Sequence, residues 1–123
     1  MGRNESSEMY LETIYLLEKQ HGHAHVVDIA RALSVSKPSV TKAMNHLEKE
    51  KLIKNEAYRP VTLTEKGRSV SENIYKKHQL ITSFLEQSLG LSHKEASENA
   101  CQMEHEISEA MLEAIKRYLK NIK

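Results

Sequence analysis

The sequence predicts a mainly α-helical protein that opens with a winged helix-turn-helix. Three observations predict it. Apolar residues recur at helical intervals along most of the 123 residues, whereas residues 53–64, "IKNEAYRPVTLT", alternate apolar and polar around a proline-containing turn. A short helical stretch and a tight turn precede a capped helix start, "SKPS". Positive charge is concentrated around these same features. Residues 31–68 carry nine basic and four acidic groups, a balance of +5, although the whole chain is only +1. The flanking stretches, 1–30 and 69–123, balance at −3 and −1.

The elements follow in order. "NESSEMYLETIYLLEKQ" has a helical apolar stripe, with Asn4 or Ser6 as its cap. "HGHAH" breaks it and places His21, His23 and His25 in a loop expected to be solvated. "VVDIARALSV" reads as a short helix with Asp28 in its first turn. "SKPSVTKAMNHLEKEKLI" opens with Ser36 as N-cap and Pro38 in the first turn, then sets Val40, Met44, Leu47 and Leu52 on one side. The alternating ribbon comes next, with Arg59 at its tip. Thr64 caps a long helix through about residue 88, and Gly90 stops it. "SHKEASENACQMEHEIS" and "SEAMLEAIKRYLKNIK" supply two more helices. No repeat or low-complexity segment interrupts this order.

Composition excludes several classes. No run of about 18 apolar residues exists, so no membrane span is expected. The start lacks a leader's apolar stretch and small-residue cleavage site. The single cysteine cannot form an internal disulfide, which suits a reducing compartment. A cytoplasmic protein is the expectation.

The local +5 is the footprint of a phosphate-binding face, although Lys-rich helices also occur for solubility alone. In a helix-turn-helix the N-terminal part of the second helix meets the bases. Here that part is small and polar. Ser36, Ser39 and Thr41 can bond phosphates or base edges without filling the major groove, with Pro38 among them, and Lys37 and Lys42 supply charge. Arg59 on the ribbon adds a flanking contact. The competing reading is a capped helix in an ordinary α-helical bundle.

"EMYLETIYLLE", "DIARALSVSKPSVTKAMNHLEKEKLI", "VTLTEKGR" and "ACQMEHEIS" stand in an order and spacing that resemble the diphtheria toxin repressor and manganese transport regulator family. The resemblance covers about Glu8 to Tyr118. It implies a homodimeric transcription regulator that binds palindromic operator DNA when loaded with a divalent metal. The chain looks like the short two-domain form: residues 1–72 as the winged helix-turn-helix DNA-binding domain, 73–123 as a helical metal-binding and dimerisation domain. Ser34 and Lys51 depart from the family pattern, which commonly has glycine at these turn positions.

Cys101, Glu104 and His105 stand at i, i+3 and i+4, so on a helix a thiol, a carboxylate and an imidazole share one face. Alone, such a triplet is a weak signal. The resemblance adds Met9 from the first helix, which would otherwise be read as a core methionine, to make a primary site of Met9, Cys101, Glu104 and His105. It also implies a second site of Glu12, His78 and a shared Glu104, with Glu98 and Gln102 as extra donors. The alternative is that Glu12 and His78 merely hydrogen-bond each other. The iron branch's ancillary site would want glutamate at 82 and histidine at 97, where this chain has Thr82 and Ser97.

Thiolate and thioether are soft donors, and Mn²⁺ binds most weakly in the divalent series. The set therefore favours Fe²⁺, with Mn²⁺ as the alternative and Co²⁺, Ni²⁺ or Zn²⁺ as substitutes in vitro. The expected output is repression of metal uptake. Two alternatives are a Mn²⁺-responsive regulator of the same family and a winged-helix regulator not controlled by metal. An enzyme is not expected: a thiol and imidazole on one helical turn have no oxyanion donors beside them, and no glycine-rich loop offers a site for a small organic substrate.

Overall fold

Among the described residues most helix starts are set by hydroxyl caps, and four helix ends are followed by a residue in the left-handed region. The computed structural model describes residues 5–122, so Asn4 lies outside them. Its helices are α1 (Glu5–His21), α2 (Val26–Leu33), α3 (Lys37–Lys49), α4 (Glu65–Leu89), α5 (His93–Met103) and α6 (Glu109–Asn121), with strands β1 (Ile53–Lys54) and β2 (Thr62–Leu63) between α3 and α4. The described residues form two compact units that divide between Glu72 and Asn73, within α4. None of the described helices is long and apolar enough to cross a membrane.

In the first unit α1 buries Leu11, Ile14 and Tyr15 and ends at Gly22 (φ +81), whose N–H donates to the Glu18 carbonyl at 2.8 Å. After α2, Ser34 takes φ +56 and the Val35 N–H reaches back to the Ala30 carbonyl at 3.0 Å. This is the 6→1 closure of a left-handed helix end. Ser36 then caps α3, its Oγ accepting from the Ser39 N–H at 3.2 Å. Val40, Met44 and Leu47 face inward and join Leu11, Ile14, Ile29, Leu52, Ile53 and Val61 in one core. Each such side chain contributes roughly 1.5–3 kcal/mol by leaving water. Lys51 (φ +63) turns the chain out of α3.

The ribbon is antiparallel, Ile53 opposite Leu63 and Lys54 opposite Thr62. It has a third partner that corrects the loop expectation for "HGHAH". Ala24 forms a bridge with Val61, whose N–H donates to the Ala24 carbonyl at 2.7 Å. Ala24 is fully buried, His21 and His23 are exposed, and His25 is half-buried. The small side chain between the histidines is what lets the segment close against the sheet. Thr64 caps α4 by accepting from the Gly67 N–H at 3.1 Å while its hydroxyl donates to the Lys51 carbonyl at 2.7 Å. A Cβ on Gly67 would overlap the Leu52 carbonyl, so only glycine lets α4 start this close to the ribbon.

In the second unit Ile81 and Leu85 of α4 pack with Ala96 and Ala100 of α5 and Ile115 of α6. The two alanines let the α5 backbone approach closely. Phe84 meets Tyr118 edge-to-face, centroids 5.3 Å apart. Gly90 (φ +69) terminates α4. The helix expected to run through residues 92–108 is shorter. It ends at Met103, with Glu104 as C-cap and residues 104–106 in turn conformation. The cause is the next start signal: Ser108 is extended (φ −77, ψ 159) and caps α6 by accepting from the Met111 N–H.

Candidate functional site

That early end changes how the sulfur, carboxylate and imidazole are brought together. Cys101 lies on α5, Glu104 is the cap, and His105 stands in the turn beyond it, so they do not share one helical face. The partner that organises them is His78 of α4. Its Nδ1 lies 2.7 Å from Glu104 Oε1 and 3.9 Å from Cys101 Sγ. Its Nε2 lies 3.1 Å from Ser97 Oγ on α5. One ligand atom from each of His78, Cys101 and Glu104 falls within 4.8 Å of the others. The geometry thus joins His78, assigned above to a second site, to two residues of the first.

Glu104 is only 1% exposed. Its Oε2 is buried without a hydrogen-bond partner, 3.4 Å from His105 Nε2, and the His105 ring is itself buried. A buried carboxylate oxygen without a donor is costly, and a cation would satisfy it. Thiol, imidazole and carboxylate within one ion's reach, with one oxygen unsatisfied, fit a divalent transition metal. Hydrogen bonds to Cys101 and Glu104 push His78 up to about 10, against its partial burial, so the ring carries a proton at neutral pH.

Ser97 carries no metal-ligand signature in the sequence, and its part at the site arises from its contact with His78. It occupies Nε2 and leaves Nδ1 directed at the other donors, the orienting role that outer partners play for histidine ligands. Thr82 is buried with its Oγ1 unpartnered. Glu98 and Gln102 are exposed. Met9 and Glu12 both lie on α1 in the first unit. Met9 is 40% exposed and is not a core methionine, whereas Glu12 is buried.

The expected DNA-facing residues lie in the first unit. Ser36, Lys37, Pro38, Ser39, Thr41 and Lys42 are all exposed while Val40 between them is buried, so the start of α3 presents a continuous polar face. Ser36 is spent on the helix: its Oγ accepts from the Ser39 N–H and donates to Ser39 Oγ at 2.9 Å. Ser39 and Thr41 keep hydroxyl protons to offer. Arg59 is exposed beside Glu56, Nε to Oε2 3.8 Å.

Residues 4–61 match the N-terminal DNA-binding domain of the iron dependent repressor, and residues 64–123 match its metal-binding and dimerisation domain. The chain belongs to the iron-dependent repressor family. That family consists of metal-dependent transcriptional regulators, and the chain carries both of its parts, a winged helix-turn-helix and a helical dimerisation domain. Over 121 residues it is 36% identical to an uncharacterized HTH-type transcriptional regulator of Methanocaldococcus jannaschii, covering 98% of this chain and 97% of that one. It is 39% identical to the transcriptional regulator MntR of Geobacillus kaustophilus, covering 84% and 72% respectively. Among solved structures it resembles the manganese regulator SloR (TM-score 0.80, 32% identity, all of this chain and 56% of that one). It also resembles the T. acidophilum IdeR (TM-score 0.83, 26% identity, 92% and 53%). The chain therefore spans about half the length of these solved family members.

Proposed function

We propose that the chain is a metal-dependent repressor that responds to Fe²⁺, binds palindromic operator DNA as a cytoplasmic homodimer and controls metal uptake. The observation that carries the metal choice is the sulfur of Cys101 beside His78 and Glu104, because a soft donor disfavours Mn²⁺ against the later divalent ions. His105 completes the set within the second unit. Met9 and Glu12 enter as further ligands through the family resemblance alone.

A divalent ion held by His78, Cys101, Glu104 and His105 would supply positive charge to the one Glu104 oxygen that no hydrogen bond satisfies. The protein's own groups do the rest. Ser97 holds Nε2 of His78, so Nδ1 is the nitrogen that would face a bound ion and would give up its proton to do so. Glu104 joins the cap of α5 to α4. Ligands drawn from α1 as well would make the position of the DNA-binding lobe depend on the ion, a linkage in which metal and operator strengthen each other's binding by the same factor. Ser39 and Thr41 offer donors to base edges, and Lys37, Lys42 and Arg59 neutralise phosphates. In a dimer the two α3 starts would match half-sites roughly 34–36 Å apart.

A Mn²⁺-responsive regulator is the second reading, favoured by the manganese regulators among the relatives. DNA-binding titrations under anaerobic Fe²⁺ and under Mn²⁺, on the parent and on Met9→Asp, separate the two. Fe²⁺ should activate the parent at lower free concentration, and Met9→Asp should move the response toward Mn²⁺. Equal activation by both ions in the parent would overturn the iron reading.

A further inference from the structure

The chain from the end of α1 to the start of α2 is held more firmly than a surface loop. It carries three alternating histidines, His21, His23 and His25, and none of them belongs to the centre on α4 and α5. Ala24 is fully buried, and its carbonyl accepts from the Val61 N–H at 2.7 Å. His25 is extended (φ −96, ψ 156) and caps α2. Its N–H donates to Asp28 Oδ2 at 3.2 Å, and its carbonyl accepts from the Asp28 and Ile29 N–H groups, both at 3.0 Å. In an extended chain alternate side chains share a face. With Ala24 turned into the core, His23 and His25 are both directed outward. Their rings stand 4.8 Å apart at 78°.

That separation suits a shared metal ion. Two imidazoles that hold one ion by nitrogens about 2.0–2.1 Å away, at a mutual angle of about 90–110°, set their ring centres roughly 4.5–5.2 Å apart. We propose that His23 and His25 form a further metal site, on the first unit, for a late divalent ion such as Zn²⁺, Ni²⁺ or Cu²⁺. Neutral imidazole is a ligand for all three, and water completes the coordination on the exposed side. The edge-to-face ring contact is the metal-free arrangement, and rotation about χ2 turns one nitrogen of each ring toward a common point. The hydrogen bonds around Ala24 and His25 already fix the backbone, so binding has only two side chains left to order. With two protein ligands the site is weaker than a four-ligand structural centre. This pair would bind metal whether or not the His78–Glu104 centre controls DNA binding.

Calorimetric titration with Zn²⁺ tests the pair on the full chain in a Cys101→Ala background, which removes the thiol of the other centre. Adding His23→Gln and His25→Gln together should leave one ion fewer per chain. His23→Gln alone changes only an exposed side chain, so it keeps the test valid if His25→Gln disturbs α2. It should weaken that ion about tenfold or more, since even the loss of a ligand's orienting partner costs as much. Zn²⁺ should also raise the melting temperature of the Cys101→Ala chain, and raise it less once His23 is replaced. His21→Gln, on the last residue of α1, should bind like the background. An unchanged ion count and affinity in His23→Gln would overturn the site. An equal loss in His21→Gln would overturn it too, because uptake would then belong to exposed imidazoles in general.

Discussion

The Nδ1 of His78 lies 2.7 Å from Oε1 of Glu104, so a residue from the middle of α4 is tied to the residue that ends α5. The other carboxylate oxygen of Glu104 has no hydrogen-bond partner. One half of the carboxylate holds the fold, and on the proposed reading the other half would meet the cation.

The first prediction separates these halves. Glu104→Gln keeps the volume but removes the charge, and should abolish metal-dependent DNA binding. It should also cost the metal-free protein about 1.5–3 kcal/mol, the worth of a hydrogen bond to a charged group. His105→Ala should lose metal response too, with helical content retained by circular dichroism. Full metal-dependent binding by either variant would remove Glu104 or His105 from the centre.

The second concerns protons. With His78 pushed up to about 10 from the usual 6.5, the metal-free protein holds this proton across neutral pH. Metal binding at pH 7 should therefore release about one proton from His78, measurable by calorimetry in buffers of different ionisation enthalpy, and affinity should rise with pH. For the metal-free fold the sign is opposite. A raised folded-state value contributes stability that is full below about 6.5 and is lost as pH rises through about 10. Metal affinity that stays flat between pH 6 and 8 would show that His78 does not coordinate.

The third concerns Ser97. Ser97→Ala frees Nε2 of His78 while leaving every proposed ligand in place. Metal affinity should fall about tenfold, at the lower end of what losing an orienting partner costs, and Ser97→Thr should restore much of it. Ser97→Ala with parental affinity would make the contact incidental.

The fourth tests the backbone. Lys51→Gly should stabilise the chain by roughly 1 kcal/mol, since φ +63 is strained for lysine. Gly67→Ala should destabilise it by more, because the new Cβ collides with the Leu52 carbonyl. Thermal denaturation of the two variants should show shifts of opposite sign. A lower melting temperature for Lys51→Gly would mean that the lysine side chain contributes more than the strain costs.

Much of the fold was legible because its signals are local. Ser36, Pro38 and Thr64 mark helix starts by their own chemistry, and Val40, Met44 and Leu47 repeat at helical spacing. The departures at Ser34 and Lys51 also pointed to turns, and both residues are left-handed. Features that depend on distant partners were not legible. Ala24 looks like part of a histidine loop until Val61 pairs with it, and residues 92–108 hold no helix breaker except the next cap, so their pattern predicts a helix through His105. Donor types at the centre could be read from "ACQMEHEIS", but the organising role of His78 and Ser97 arises only when α4 and α5 meet.

The central claim, that metal at the His78–Cys101–Glu104 centre controls DNA binding, is tested most directly by one titration. A duplex selected from a random pool by the metal-loaded protein is titrated with parent and with Cys101→Ala, under anaerobic Fe²⁺ and again after chelation. The account predicts tight binding by the parent with Fe²⁺, a loss of about tenfold or more on chelation, and little response to Fe²⁺ in Cys101→Ala. Equal binding by the parent with metal and with chelator would contradict it.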